Sequence, residues 1–536
     1  MRHVKLAATA AAALMLTAAC TAGETTSAGN TGAKNGYAAV ADTSLPAGGV
    51  LKLQTHVDTG AATGLDPQMA DVATSWQLMS LVYETLVTVG PDFSIQPLLA
   101  ERWETPDPTT YVFHLRKGVT FSNGRAMTAD DVVGSLERLR KAKSVWSGQL
   151  GPITSVSKTG DGTVTVKLSE PYTPFLAALA NVPAAVLPMK EIEDGSVKPK
   201  DEMVGTGPFT VVSHRQDVSW SFKRNAKYWS QGKPALEGLE IGIAADEAAR
   251  VAALQNGQAS MAVLGNVDSR TTLRGATGVQ VADQATTDFY YLFTNTRKPG
   301  SKLADPRVRT ALNLAMDREQ IAQVATGGLG KPTAVTPAGL PDTCDPKTLP
   351  SASGDLDKAR GLLQQAGAQN LSFTLSIYST RPAPAVAQVI QQNLKRIGVT
   401  VNIEQMDEAS WAGKVYAAKP TFDAGLSWFA GYSDPAMAMR WWNPEQAIFN
   451  TAFMKPDAEL NTLIAAAGKA TAGAERKQAL SAVCTKVDED AQMIPLVTRP
   501  ATLGFRSDAV SPGLYATEGY GNLLRLVTDF RAKKVG

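Results

Sequence analysis

The chain has 536 residues, of which 44% are hydrophobic and 19% charged, and its formal net charge is +2. That length suits two or more domains with full cores, and the near-balanced charge gives no electrostatic footprint for nucleic acid. The four histidines, His3, His56, His114 and His214, form no ligand cluster, so neither a metal nor a cofactor is expected.

The N-terminus reads as an export signal. Arg2 and Lys5 precede an apolar run from Leu6 to Ala19, too short to span a bilayer but right for a signal-peptide core. The run ends in Leu16-Thr17-Ala18-Ala19-Cys20, where small residues before a cysteine resemble a lipobox. Residues 1–19 are therefore expected to be a signal peptide and Cys20 the acylated first residue. The usual leucine three places before the cysteine is Thr17 here, so an ordinary secretory signal with an incidental cysteine is the alternative. Residues 20–45 are rich in Gly, Ala, Ser and Thr, which predicts a flexible tether above a membrane. No second long apolar run follows. In an exported protein, Cys344 and Cys484 can form a disulfide, with two buried thiols as the alternative.

The body alternates strands and helices irregularly. Leu65-Asp66-Pro67 precedes an expected amphipathic helix from Ser75 to Leu86. From Tyr111 through Leu139 the spacing predicts strand, turn, strand and helix. Tyr111, Phe113 and Leu115 alternate as in a half-buried strand, Asn123-Gly124 suits a turn, and Thr128 can cap a helix that opens with Asp130 and Asp131. Residues 155–168 read as a hairpin turning near Gly160-Asp161-Gly162. Gly205-Thr206-Gly207-Pro208-Phe209 is followed by Arg224-Asn225 and Tyr228-Trp229. Asp305-Pro306 leads a helix running on to Asp317-Arg318. Helices closed by Gly367 and Gly398 come next, the second followed by a strand from Val399 to Ile403.

These blocks, in this order from about residue 50 to residue 497, resemble the family 5 extracytoplasmic solute-binding proteins, the peptide/nickel class that feeds ABC importers. The resemblance implies an α/β, two-lobed periplasmic-binding-protein-like architecture of type II. An extra subdomain is expected in the first lobe, and the ligand cleft lies between the lobes. The expected divisions are 46–82, 204–285 and 495–536 for the core of the first lobe, 83–203 for its extra subdomain, and 286–494 for the second lobe. Lobes that close about hinges would bury the ligand.

The same resemblance nominates the site. In peptide-binding relatives a tryptophan matches Trp428, and an aspartate grips the peptide's terminal ammonium. Aligned through Tyr432 and Pro435, that aspartate's place is Gly431. Losing one partner of a buried charge pair costs ~2–5 kcal/mol, about thirtyfold to several-thousandfold in affinity. Either Asp434 takes over the amine or the ligand has no free N-terminus; Asp434 can equally be a turn residue before Pro435. Asp71, Val72 and Ala73 fall in a first-lobe loop expected at the cleft, where Asp71 could also meet an amine. Val263 and Leu264 are expected to line the cleft from a strand. Arg440 stands beside Trp441 and Trp442, which cannot both face one way, so one is expected on the ligand and the other in the core.

Several motifs carry no enzyme chemistry. Gly327-Gly328-Leu329-Gly330-Lys331 lacks the first glycine and the Ser/Thr of a phosphate loop. Ser155-x-x-Lys158 and Lys158-Thr159-Gly160 share one lysine, whereas penicillin-recognising enzymes hold these motifs on separate elements. No catalytic residue is assigned. The expected function is a monomeric, lipid-anchored solute receptor on the extracytoplasmic face of the membrane. Its expected partners are a permease and an ATPase, and its ligand is a peptide. A non-peptide solute (oligosaccharide, siderophore or opine-like) is the alternative, and an exported hydrolase or a structural envelope protein are rivals from other classes.

Overall fold

The computed structural model describes residues 45–60, 63–70, 75–90, 92–142, 144, 146–284, 286–336, 339–380, 382–429, 432–471, 473–511, 524 and 527–534. The expected signal peptide, Cys20 and nearly all of the tether lie outside them, as do Asp71, Val72, Ala73 and Gly431. Among the described residues no helix is long and apolar enough to cross a membrane.

Two mixed sheets organise the chain. The first has seven strands, in the order Val279–Gln284, Ala501–Arg506, Met261–Leu264, Val50–Thr55, Gly238–Ile243, Ser219–Arg224 and Phe209–Arg215. Val50–Thr55 lies parallel to Gly238–Ile243 and to Met261–Leu264, and the outer pairs are antiparallel. The second has five strands, Thr400–Met406, Ser372–Tyr378, Ala424–Phe429, Phe289–Thr294 and Met493–Thr498. A four-stranded antiparallel sheet, Ala100–Asp107, Thr110–Leu115, Thr163–Leu168 and Ile153–Gly160, stands apart from both. The chain leaves the first sheet after Gln284 and enters the second at Phe289. It returns between Thr498 and Ala501, so Met493–Thr498 belongs wholly to the second sheet and the expected division at 494/495 falls inside a strand.

The run from Tyr111 shows how local chemistry places these elements. Thr110–Leu115 alternates buried and half-buried residues as a one-sided strand must. The second expected strand is reduced to one bridge, Thr120 to Ala126, around a turn in which Gly124 takes a φ of 93°. The helix Ala129–Lys141 opens on Thr128, whose N–H donates to Asp131 Oδ2 at 2.9 Å. The strands Ile153–Gly160 and Thr163–Leu168 form the expected hairpin.

The expected helix from Ser75 to Leu86 is a single turn, Trp76–Met79. Leu78, Met79, Leu81, Val82, Tyr83 and Leu86 are all buried, so this segment has no solvent face. Its carbonyls are taken by another segment: Gly207 N–H donates to Val82 O at 2.8 Å and Phe209 N–H to Leu81 O at 3.0 Å. A Cβ on Gly205 or Gly207 would sit 2.1 or 2.6 Å from Val82 O, so glycine is required at both positions. The Asp305 helix is likewise two helices, Pro306–Leu314 and Arg318–Thr326, with Asp305 capping the first and Asp317 the second. Gly327 closes the second in the left-handed region, which is the role of the phosphate-loop look-alike. Helices Leu356–Gln365 and Ala383–Lys395 are followed by left-handed Gly367 and Gly398, and the strand after the second is Thr400–Met406.

Cys344 and Cys484 form a disulfide across a sequence separation of 140. Closing a loop of that length stabilises by ~4–5 kcal/mol in the chain-entropy picture.

Candidate functional site

In the strand Ala424–Phe429, every residue is buried except Trp428, which is half-buried. Trp428 pairs across the sheet with Tyr290. The Arg499 guanidinium lies 4.3 Å from the centre of its ring, within the range of a cation–π contact. Arg499 belongs to the segment returning the chain to the first sheet, and Asp288 to the segment leaving it. The two segments are tied: Arg499 N–H donates to Asp288 O at 2.8 Å. Thr286 Oγ1 donates to Arg499 O at 2.6 Å, and Arg499 Nη1 pairs with Asp288 Oδ2 at 3.1 Å. Trp428 therefore sits where both crossings between the sheets meet.

Charge around this point is controlled from the first sheet. The pKa of His56, which follows the strand Val50–Thr55, is pushed down to about 4 by burial and then by Arg250 and Arg499, so the ring is neutral at neutral pH. Arg250 is occupied: Nε donates to Val263 O at 2.9 Å, Nη1 to Ala245 O at 3.0 Å and Nη2 to Glu247 Oε2 at 3.1 Å. Glu247 in turn accepts from Gly265 and Asn266 N–H at 2.8 and 2.9 Å, so this ion pair braces a loop.

The residues nominated from sequence separate into groups. Val263 packs against the main core, while Leu264 belongs to a separate small core with Leu254, Ala262 and Leu273. Strand alternation sends their side chains to opposite faces of the sheet. Trp428 and Phe429 are split the same way. Phe429 contacts Tyr432, Trp441 and Trp442 edge-on at 5.8, 4.9 and 6.3 Å between ring centres. Trp442 is buried and donates Nε1 to Met493 O at 3.1 Å, whereas half-buried Trp441 stacks on Phe449 at 5.3 Å. Tyr432, Trp441 and Trp442 thus gather around Phe429, on the other face of the strand from Trp428.

Asp434 is a helix cap. Its Oδ1 accepts from Ala436 N–H at 2.8 Å, and its Oδ2 pairs with Arg476 at 2.9 Å. Burial raises its pKa, against the pull of Arg476. Both oxygens are engaged, which fits the turn role rather than that of a free carboxylate awaiting an amine.

Arg440 and Tyr432 face a third body. Gln149 Nε2 donates to Tyr432 Oη at 3.1 Å, and Arg440 Nη1 lies 3.5 Å from Tyr172 Oη. Nearby, Thr173 N–H donates to Gly468 O at 2.8 Å, and Arg476 Nη1 donates to Thr173 Oγ1 at 2.7 Å. Lys469 pairs with Glu170 at 2.7 Å. These contacts join the unit built on the four-stranded sheet to the second lobe.

Sequence reasoning missed Arg499, Asp288, Tyr290 and His56. Asp288 and Arg499 are 211 residues apart, and no spacing rule links them.

Two α/β lobes, joined by paired crossings with an aromatic platform at the junction, define the two-lobed periplasmic-binding-protein fold of type II with an added subdomain. The chain belongs to the bacterial extracellular solute-binding proteins, family 5: the family model described as "Bacterial extracellular solute-binding proteins, family 5 Middle" matches residues 94–450. The glutathione-binding protein GsiB of Escherichia coli K12 is 28% identical over 454 residues, which cover 81% of this chain and 86% of that protein. The ABC transporter-associated periplasmic binding protein DppA of Helicobacter pylori, solved with the peptide STSA, is 25% identical with a TM-score of 0.79, covering 91% of this chain and 99% of that one. AgaA of A. tumefaciens R10, solved with agropinic acid, shares the fold at 23% identity and a TM-score of 0.78, over 91% of this chain and 99% of its own. The chain is a solute-binding protein of the ABC importer class and not an enzyme.

Proposed function

We propose that this receptor captures a short peptide by closing its lobes over Trp428. The observation that carries the proposal is Trp428 itself, the one partly open residue of a buried strand, set where the two crossings between the lobes meet. A flat ring there offers contact area to a peptide without demanding one sequence. Likeness to a glutathione-binding protein over most of its length supports a small peptide as the ligand. The first lobe is assigned to 46–82, 204–285 and the segment after Thr498, its extra subdomain to 83–203, and the second lobe to 286–498. Of the carboxylates nominated for a terminal amine, Asp434 has its cap and its Arg476 pair, which leaves Asp71. The protein acts as a monomer anchored through acylated Cys20 on the extracytoplasmic face, and delivers its ligand to a permease driven by an ATPase.

A thermal-shift series on the form lacking residues 1–20 tests the ligand class, because a solute that binds only the folded state raises Tm by mass action. Short peptides should stabilise the protein, and Trp428→Ala should remove that shift while leaving the ligand-free Tm within about 2 °C. Stabilisation by oligosaccharides and by no peptide would reject the peptide and make Gly431 the mark of a changed ligand class. Cys20→Ser should release the full-length protein into the medium; continued retention on the membrane would refute the anchor.

A further inference from the structure

Arg499 has more to offer than its partners use. Asp288 occupies Nη1 and the Tyr290 hydroxyl takes a second bond, while a guanidinium presents five N–H donors in a fixed fork. The accessibility of the pair is asymmetric: the Arg499 side chain is 29% exposed and that of Asp288 only 8%. Trp428 supports one face of the guanidinium, and the bonds to Asp288 O and from Thr286 hold the backbone beneath it. Such a group is pre-positioned, so an incoming acceptor loses little affinity to ordering it. Neighbouring charges do not compete for that acceptor. Arg250 is committed to backbone carbonyls and Glu247, and His56 is neutral.

We propose that Arg499 reads an anionic group of the solute: its fork, backed by the Trp428 ring, takes a carboxylate in the guanidinium plane while Asp288 holds the arginine between the two interlobe crossings. The inference rests on the solute-receptor reading and names the ligand chemistry at that site. Because Arg499 and Asp288 lie on the two crossings, a carboxylate bound there touches the very segments about which the lobes must move. Recognition and closure then share one residue. If Arg499 only braces the crossings, solute charge will not matter to it.

The test compares acids with their amides. Full-length protein in detergent is titrated calorimetrically with glutathione and trialanine and with their C-terminal amides, and then with succinate and glutarate against their diamides. The wild type should prefer the free acid in at least one panel by about thirtyfold or more, as expected for a buried charge pair. Arg499→Gln should bring that preference below about threefold. Arg499→Lys keeps the charge between the crossings but lacks the planar fork, and should retain no more than about a tenth of the preference. Peptides bound equally well as acid and amide would overturn the inference and leave the peptide reading standing. Binding confined to the non-peptide acids, and lost in Arg499→Gln, would do the reverse. If no acid outbinds its amide in either panel, the inference fails; that result needs only the wild type, so it does not depend on either variant folding.

Discussion

Glu84 shows what a single residue contributes to this fold. It is buried, and its carboxylate accepts from Thr206 Oγ1 at 2.8 Å, Tyr228 Oη at 2.8 Å and Trp229 Nε1 at 3.0 Å. Burial nevertheless pushes its pKa up to about 7, against the pull of those three donors and of Arg116. An acid whose folded pKa is raised binds its proton more tightly in the folded state. Its contribution to stability is therefore greatest below the unfolded value near 4.5 and is lost as pH rises through about 7. The full difference is on the order of 3 kcal/mol. Glu84→Gln should abolish this decline. Urea unfolding of both forms from pH 5 to 8 checks it: the wild type should lose stability relative to the variant as pH rises, and parallel curves would refute the assignment. His56 has the opposite sign, since its depressed pKa makes stability fall as pH drops from about 6.5 towards 4. The pH profile of the wild type alone would mix the two, which is why the variant is needed.

At the scale of elements, the recurrent motifs of the chain prove to be parts of one joint. The Val82-Tyr83-Glu84 segment, Gly205-Thr206-Gly207, Asn225 and Tyr228-Trp229 all meet around Glu84 and the Val82 carbonyl. Asn225 Nδ2 closes the group by donating to Gly207 O at 2.9 Å. Arg116, from the end of the Tyr111 run, lies 4.3 Å from the centre of the Trp229 ring. These blocks thus pack together around one buried carboxylate. Gly207→Ala should cost ~3 kcal/mol or more, because its Cβ would sit 2.6 Å from a carbonyl that cannot move aside. The loss should show in the denaturation midpoint, while solute affinity of the folded fraction stays unchanged. A midpoint shift equivalent to under about 1 kcal/mol would mean the joint is more pliable than its geometry indicates.

Across the whole molecule, the contacts of Gln149, Glu170, Tyr172 and Thr173 with Tyr432, Arg440, Gly468, Lys469 and Arg476 bridge the extra subdomain and the second lobe. Separating these two parts must break these contacts, so they favour the arrangement in which they form. The exposed Lys469–Glu170 pair contributes little, about 0–1 kcal/mol. Thr173 matters more, because it satisfies the largely buried Arg476. Thr173→Val leaves Arg476 Nη1 with Ala470 O alone and removes the Thr173 Oγ1 bond to Gly468 O, at ~1–3 kcal/mol, and the cost falls on the arrangement these contacts hold together. Solute affinity should drop about tenfold, with a larger ligand-free radius of gyration in X-ray solution scattering. Unchanged affinity together with an unchanged radius would show that these contacts do not oppose opening.

The class of molecule and most local elements were legible in the order of the amino acids. The alternation of Tyr111, Phe113 and Leu115, the cap at Thr128, the hairpin at Gly160-Asp161-Gly162 and the glycines after two helices are properties of a few neighbouring residues. Tertiary structure alone decided which nominated residues share a face. It ended the Ser75 helix after one turn, because Gly207 and Phe209 claim its carbonyls from more than a hundred residues away. It turned Leu264 from Val263, gathered Tyr432, Trp441 and Trp442 around Phe429, and completed Asp434 with Arg476. It also brought Arg499 to Trp428 and Asp288, a meeting set by where two strands cross between sheets. Such crossings join residues with no fixed separation along the chain, and periodicity and spacing carry no record of them.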